Sequence, residues 1–174
     1  MKKIAIALSL LLLTSCAAPT AETAGILVSC TTLQTQNVAK PLELGCLDGS
    51  VGASVNALRG PVIINVWGSW CAPCKEEMPI LRSFYAKGKG KLQLVGVDVE
   101  EASLKDGQEF ALKYGITWPN LFDSDGRSRA YFGMGVPVTW FIAADGSVAY
   151  KHIGVLKNEI ELITFTSKYL GIKL

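Results

Sequence analysis

Two cysteines separated by two residues, Cys71 and Cys74, are the groups in this 174-residue chain best suited to chemistry. They stand in the run Trp-Gly-Ser-Trp-Cys-Ala-Pro-Cys, directly after the mostly apolar run Val62–Trp67. This pattern predicts a buried strand that leads into a helix whose first turn carries both sulfurs. The free N–H groups and the positive dipole end of that helix would favour the thiolate of Cys71. The spacing therefore indicates a dithiol that exchanges electrons, with Cys71 attacking and Cys74 resolving the mixed disulfide.

A zinc site is the main alternative for such a pair, because half of a four-ligand site has the same spacing. Two further ligands would be needed. The only histidine is His152, the other cysteines are Cys16, Cys30 and Cys46, and the sequence has no second C-x-x-C motif. The tryptophans and the strand-to-helix context favour redox chemistry, for which the dithiol needs no metal and no cofactor.

Glu77 is the candidate proton carrier for this dithiol. It lies three residues beyond Cys74, about 60° round the helix, and can face inward beneath the sulfurs. A carboxylate in apolar surroundings can exchange protons near neutrality. Geometry alone equally allows a solvated charge on the helix surface. Its neighbour Glu76 projects about 100° away and is expected to be such a surface residue.

Three segments together resemble the TlpA/ResA/DsbE-like extracytoplasmic branch of the thioredoxin superfamily. They are the active-site run of residues 67–79, the sequence Gly-Val-Pro-Val-Thr at 135–139, and the following hairpin, which turns at Asp145-Gly146. The resemblance covers most of the chain from about residue 41 onward. It implies a thioredoxin-like fold and a thiol-disulfide oxidoreductase that acts on protein thiols and disulfides together with a membrane redox partner.

The resemblance also assigns roles to individual residues. An acidic residue stands at the place of Glu77 in this branch, and Asn65 replaces the buried aspartate of thioredoxins proper, which leaves Glu77 as the proton carrier. Pro137 is expected to be cis and to face the dithiol, with the backbone of Val136 pairing with the substrate chain. Trp70 is not assigned by the resemblance: its position directly before Cys71 indicates that it shields the thiols and contacts substrate, with a core aromatic as the alternative.

The N-terminus has the features of a secretory signal. A basic start, Met-Lys-Lys, precedes a short apolar run and the sequence Leu-Thr-Ser-Cys, which resembles a bacterial lipobox ending at Cys16. We expect a signal peptide over residues 1–15, a lipid on Cys16, a tether over 16–28 and one thioredoxin-like domain over 29–174. An ordinary signal peptide with an incidental cysteine is the alternative. Lipidation would place the domain outside the cytoplasm, in the periplasm or on the cell surface of a bacterium.

The charge balance argues against a nucleic-acid partner. The chain has 17 basic and 15 acidic residues, a formal charge of +2, and removal of residues 1–15 takes away Lys2 and Lys3 and leaves zero. A balanced mature chain has no electrostatic reason to bind nucleic acid or an anionic lipid surface.

Cys30 and Cys46 remain once Cys16 is lipidated and Cys71 pairs with Cys74. In a compartment where disulfides persist, this even remainder is expected to form a structural bridge.

The order of apolar runs predicts an α/β fold with a mixed central sheet, helices on both faces and an N-terminal extension. Strands are expected near residues 42–44 and 55–58, at Val62–Trp67 and at 92–99. A brief strand is expected near 121–122, and a hairpin at 138–153. Helices are expected near 72–86, 104–114, 128–132 and 157–170.

Two other functions stay open from the sequence. A peroxiredoxin-type thiol peroxidase shares the thioredoxin core, although the Pro-x-x-x-Thr-x-x-Cys setting of its cysteine is missing before Cys71. A copper(I) chaperone could use the same two sulfurs as soft ligands, although the chain has no Met- or His-rich stretch. The direction of electron flow, toward cytochrome c maturation or toward disulfide formation, is also open.

Overall fold

The computed structural model describes residues 24–133 and 135–174. Signal residues 1–15, Cys16 and most of the expected tether lie outside the described residues. Within the described part, no helix has both the length and the apolar character needed to cross a membrane.

A seven-stranded mixed sheet forms the centre of the protein. Its spatial order is β2-β1-β5-β4-β3-β6-β7, with β3, β4 and β5 parallel and the other neighbours antiparallel. The strands are β1 (Glu43–Cys46), β2 (Ala53–Ser54), β3 (Val62–Trp67), β4 (Gln93–Val99), β5 (Asn120–Asp123), β6 (Val138–Ile142) and β7 (Val148–Ile153). The predicted mixed sheet closed by an antiparallel hairpin is confirmed.

Three long helices cover one face of the sheet: α1 (Ala72–Gly88), α2 (Leu104–Lys113) and α4 (Glu159–Leu170). Right-handed crossovers from β3 to β4 and from β4 to β5 run in the same direction across the sheet, which places α1 and α2 on the same side. The other face is covered by the N-terminal segment, a short 3-10 helix at Val55–Ala57 and the short helix α3 (Arg129–Phe132).

The central strand β3 is buried along its whole length, and its side chains point alternately to the two faces of the sheet. Val62, Ile64 and Val66 enter the apolar cluster on the α3 side, whereas Ile63 and Trp67 enter the cluster beneath the long helices. A strand covered on both faces is expected to be apolar throughout. The polar exception is Asn65, which shares a face with Trp67.

The strand predicted at residues 55–58 is wrong. Only Ala53 and Ser54 pair with β1, and the chain then turns into the 3-10 helix. The Asn56 side chain accepts a hydrogen bond from the N–H of Leu42 and donates one to the carbonyl of Lys40. Those side-chain bonds replace the backbone ladder that a longer strand would have made.

Cys30 and Cys46 are joined in a disulfide that ties the N-terminal segment to β1. Cys30 begins a short 3-10 helix, and its N–H points at the sulfur of Cys46 at 3.1 Å. Both residues are buried in the cluster on the α3 face. The bridge therefore lies near one edge of the sheet. Two strands, β5 and β4, separate β1 from β3, the strand that leads to Cys71.

A double Cys30→Ser/Cys46→Ser variant is expected to lose roughly 3 kcal/mol of unfolding free energy, because the bridge closes a loop with a sequence separation of 16. Urea unfolding of the oxidised proteins measures this loss. Disulfide exchange by the folded variant should stay at the wild-type rate. A folded double variant without exchange activity would instead identify the bridge as a second redox centre.

Candidate active site

The dithiol stands where β3 passes into α1. The turn over residues 68–70 follows the strand, and Cys71 caps the helix, which begins at Ala72 with Pro73 in its first turn. The backbone N–H of Cys74 donates to the sulfur of Cys71 at 3.1 Å, and the two sulfurs form a disulfide. An N–H donor at a helix N-terminus stabilises negative charge on the sulfur it faces. After reduction, this arrangement favours a thiolate on Cys71.

The two sulfurs differ in access to solvent. Cys71 retains 4% of its surface and Cys74 retains none. Cys74 is covered by the helix that carries it and by the apolar cluster beneath the long helices. Cys71 is thus the less deeply buried of the two residues, which agrees with the predicted order of attack.

Glu77 is fully buried below this pair, one turn along α1 from Cys74. One of its carboxylate oxygens accepts the N–H of Leu156 at 2.6 Å, and the other accepts the amide of Asn65 at 3.3 Å. Burial raises the pKa of Glu77 to about 7, and these two hydrogen bonds oppose the rise only in part. Glu76 is exposed. The structure thus places Glu77 inward, one of the two orientations that helix geometry left open, and places Glu76 outward as expected.

The two hydrogen-bond partners of Glu77 come from distant parts of the chain. Asn65 is on β3 and also donates to the hydroxyl of Thr139 at 3.1 Å, while Leu156 follows β7. Asn65 stood out in the sequence, whereas nothing there pointed to Thr139 or Leu156. A backbone N–H such as that of Leu156 leaves no signal in a sequence.

The loop before β6 lies beside the dithiol end of β3. Val66 pairs with Val138 in antiparallel register, so the preceding residue, Pro137, lies across from Trp67 and next to the turn that leads to Cys71. The Val136–Pro137 bond is cis, and the Pro137 carbonyl accepts the N–H of Gly154 at 3.0 Å. Val136 is half-buried and packs against the cluster that contains both active-site sulfurs.

The two tryptophans that precede the dithiol have different environments. Trp67 is fully buried, stacks on Phe110 with ring centroids 4.6 Å apart and donates its indole N–H to Asn120. Trp70 is 52% exposed, and its indole N–H donates to the carbonyl of Val99 at 3.2 Å. Its ring covers Gly68 so closely that an added Cβ would lie 2.6 Å from the indole nitrogen. Trp67 is therefore a core residue, and Trp70 forms part of the rim of the site.

An acidic pair near the same turn was missed by the sequence analysis. Glu101 accepts hydrogen bonds from the N–H and the hydroxyl of Ser69, and Asp98 is buried beside it. Among the described residues, no group of three or more His, Cys, Asp or Glu side chains is arranged to hold a metal ion. Two sulfurs and nearby carboxyl groups meet at this end of the sheet.

Comparison with known proteins agrees with this chemistry. The model of the AhpC/TSA family matches residues 35–151. The thiol:disulfide interchange protein DsbE of Pseudomonas fluorescens biotype C is 30% identical over 142 residues, which are 79% of this chain and 78% of DsbE. The thiol-disulfide oxidoreductase ResA of Bacillus thuringiensis is 33% identical over 100 residues, 56% of this chain. The match spans 57% of ResA, little more than half of that relative.

A solved structure shows the same architecture. The DsbF protein of Mycobacterium tuberculosis (MTB), determined in mixed oxidised and reduced forms, superposes with a TM-score of 0.66 at 26% identity. The superposition covers 74% of this chain and 95% of DsbF. The thioredoxin-like fold predicted from the sequence is confirmed.

Proposed function

The chain belongs to the AhpC/TSA family and is a thiol-disulfide oxidoreductase of the ResA/DsbE type, and we propose that it exchanges disulfides with protein substrates through Cys71. The observation that carries the proposal is the geometry of the pair. Cys71 caps α1 and is buried except for 4% of its surface, whereas its partner Cys74 is fully buried.

Reduction of a substrate proceeds in two exchanges. The thiolate of Cys71 attacks one sulfur of the substrate disulfide, forms a mixed disulfide and releases the other substrate sulfur as a thiolate. Cys74 then loses its proton and attacks the sulfur of Cys71, which frees the second substrate thiol and closes the Cys71–Cys74 disulfide. Two electrons pass to the substrate. The reverse sequence oxidises a substrate dithiol.

Glu77 takes the proton from Cys74 in this scheme. It is one helical turn from Cys74, in a site without exposed surface, and its raised pKa of about 7 lets it accept and return a proton near neutral pH. The hydrogen bond from Leu156 fixes one carboxylate oxygen, and Asn65 fixes the other. Glu77 can therefore ionise without moving.

Protein substrates would bind along the rim formed by Trp70, Val136 and Pro137. Trp70 presents an exposed ring beside Cys71, and the Val136–Pro137 segment lies across from the end of β3. An extended substrate segment could pair with the backbone of Val136 while its cysteine meets Cys71. Trp70 would then cover the mixed disulfide.

The proposed location is the outer side of a bacterial membrane. The basic start, the apolar run and the Leu-Thr-Ser-Cys sequence at the N-terminus support a signal peptide and a lipid on Cys16. A tethered domain would meet a membrane redox partner that restores its dithiol or its disulfide. No cofactor beyond the Cys71–Cys74 pair is needed for either direction.

Trapping the substrate tests the proposal. In a Cys74→Ser variant of the full chain the second exchange cannot occur, so the mixed disulfide through Cys71 should accumulate. Mass spectrometry of the trapped species identifies the partner, and the known redox state of that partner gives the direction of electron flow. The Cys71→Ser/Cys74→Ser double variant is the matched control. Equal capture by both variants would contradict the proposal, as would consumption of peroxide in place of disulfides.

A further inference from the structure

Asp98 is a buried carboxyl group for which the exchange mechanism has no use. It is the penultimate residue of β4 and sits in register beside Trp67, the last residue of the strand that leads to Cys71. Its exposed fraction is 0%, and neither of its oxygens meets an N–H or O–H donor among the described residues. An ionised carboxylate in such a place would be strongly unfavourable.

Helix α2 leaves room for this carboxyl at Gly107. A Cβ added to Gly107 would lie 1.8 Å from one carboxyl oxygen of Asp98. Glycine within a helix is less favourable than alanine, so a side chain would be preferred on grounds of helix stability alone. The close approach of Asp98 explains why the helix carries a glycine at this position.

Glu101 connects Asp98 to the turn that presents Cys71. The carboxyl groups of Asp98 and Glu101 are within hydrogen-bonding range of each other. Glu101 also accepts the backbone N–H of Ser69 and, at 2.7 Å, its hydroxyl. The indole of the next residue, Trp70, is held by a carbonyl of the same β4 strand. Ser69 and Trp70 are thus both hydrogen-bonded to the end of β4 or to the segment that follows it.

We propose that Asp98 and Glu101 share one proton, and that the pair is a positioning element that holds Ser69 and Trp70 in place and thereby presents Cys71. Two carboxylates in contact cannot both ionise in a buried site, and a protonated Asp98 gains the partner it otherwise lacks by donating to Glu101. Glu101 accepts the N–H and the hydroxyl of Ser69 in this arrangement. The presentation of Cys71 rests on the proposed exchange function, whereas the shared proton does not.

The charges around Asp98 favour retention of this proton. The charged groups that act on it are Glu101, after β4, and Asp106, from the first turn of α2, and both are acidic. The cleft beside Ser69 also has Lys75 of α1 in its lining. Burial, followed by the contact with Glu101, raises the pKa of Asp98 to about 10. Asp98 should therefore stay protonated across the neutral range.

A titration of the oxidised protein tests the shared proton. In this form Cys71 and Cys74 do not titrate, and carboxyl-carbon NMR follows each acidic side chain directly. We expect one proton on the Asp98–Glu101 pair to persist above pH 8, with the amide resonance of Ser69 shifting when it is lost. Asp98→Asn assigns the signals and should abolish that shift of Ser69. Ordinary titration of both groups below pH 5 would overturn the proposal.

The reactivity of Cys71 tests the positioning role. Asp98→Asn keeps a donor toward Glu101, so the alkylation rate of Cys71 in the reduced protein at pH 7 should stay within about twofold of wild type. Asp98→Ala removes the donor, and the rate should fall roughly tenfold, the effect of losing a buried hydrogen bond. Equal rates in the two variants would overturn the positioning role. If Asp98→Ala does not fold, Ser69→Ala serves in its place, because it removes one of the two hydrogen bonds from Ser69 to Glu101. This variant should lower the alkylation rate of Cys71 while the shared proton persists. An unchanged rate would overturn the positioning role.

Discussion

Disulfide exchange by the Cys71→Ser variant falls to the rate without enzyme, whereas the Cys74→Ser variant still attacks once and then stops. The difference is expected because Cys71 carries the N–H contact from Cys74 at the helix N-terminus and is the less deeply buried of the two residues. Turnover is measured with a small disulfide and a thiol reductant. Single attack is measured as the stoichiometric release of one substrate thiol by the reduced Cys74→Ser protein.

Alkylation of the reduced wild type provides the internal control for this order of attack. Cys71 should react much faster than Cys74, since Cys74 has no exposed surface. Peptide mapping after brief treatment separates the two sites. Equal modification of both thiols, or a single attack by Cys71→Ser through Cys74, would contradict the assignment of Cys71 as the nucleophile.

The strand-to-helix setting of the dithiol could be predicted because it depends on local sequence. The apolar run Val62–Trp67 is bounded by Gly68, and Pro73 suits a first helical turn, so the position of both sulfurs follows from spacing. The helix period allows Glu77 to face inward, and the resemblance favoured that orientation over an exposed one. The role of Pro137 came from the resemblance, since a lone proline in a loop has no specific meaning.

The electrostatic environment of the site could not be predicted because it is assembled from distant segments. Asn65 and Leu156 meet at Glu77 only after β3, α1 and the chain beyond β7 have packed together. Asp98 and Glu101 read as ordinary acidic residues in a sequence, and their relation to Ser69 depends on the parallel register of β3 and β4. The 3-10 helix at Val55–Ala57 was missed for the same reason, since bonds from another segment decide it.

Replacement of Glu77 by glutamine is expected to slow turnover roughly 100-fold near neutral pH, the lower end of the range for a general base. Glutamine fills the same space and can still accept the N–H of Leu156, so the fold should persist. Wild-type reduction of substrate should accelerate as the pH rises through about 7, where Glu77 becomes a base, and the variant should lack this step. Turnover is measured from pH 6 to 8, with exposed Glu76→Gln as the matched control.

The stability of the oxidised protein gives an independent measure of the same group. The folded-state pKa of Glu77 is raised from 4.5 to about 7, so the native state binds more protons than the unfolded state between these values, and stability falls as the pH rises through this window. Over this window the free energy of unfolding should decrease by about 3 kcal/mol, because each pKa unit corresponds to 1.36 kcal/mol. Urea unfolding at pH 5 and pH 8 should show the decrease for wild type and Glu76→Gln, and a smaller decrease for Glu77→Gln. A Glu77→Gln protein that matches wild type in both turnover and the pH dependence of stability would leave water as the proton carrier for Cys74.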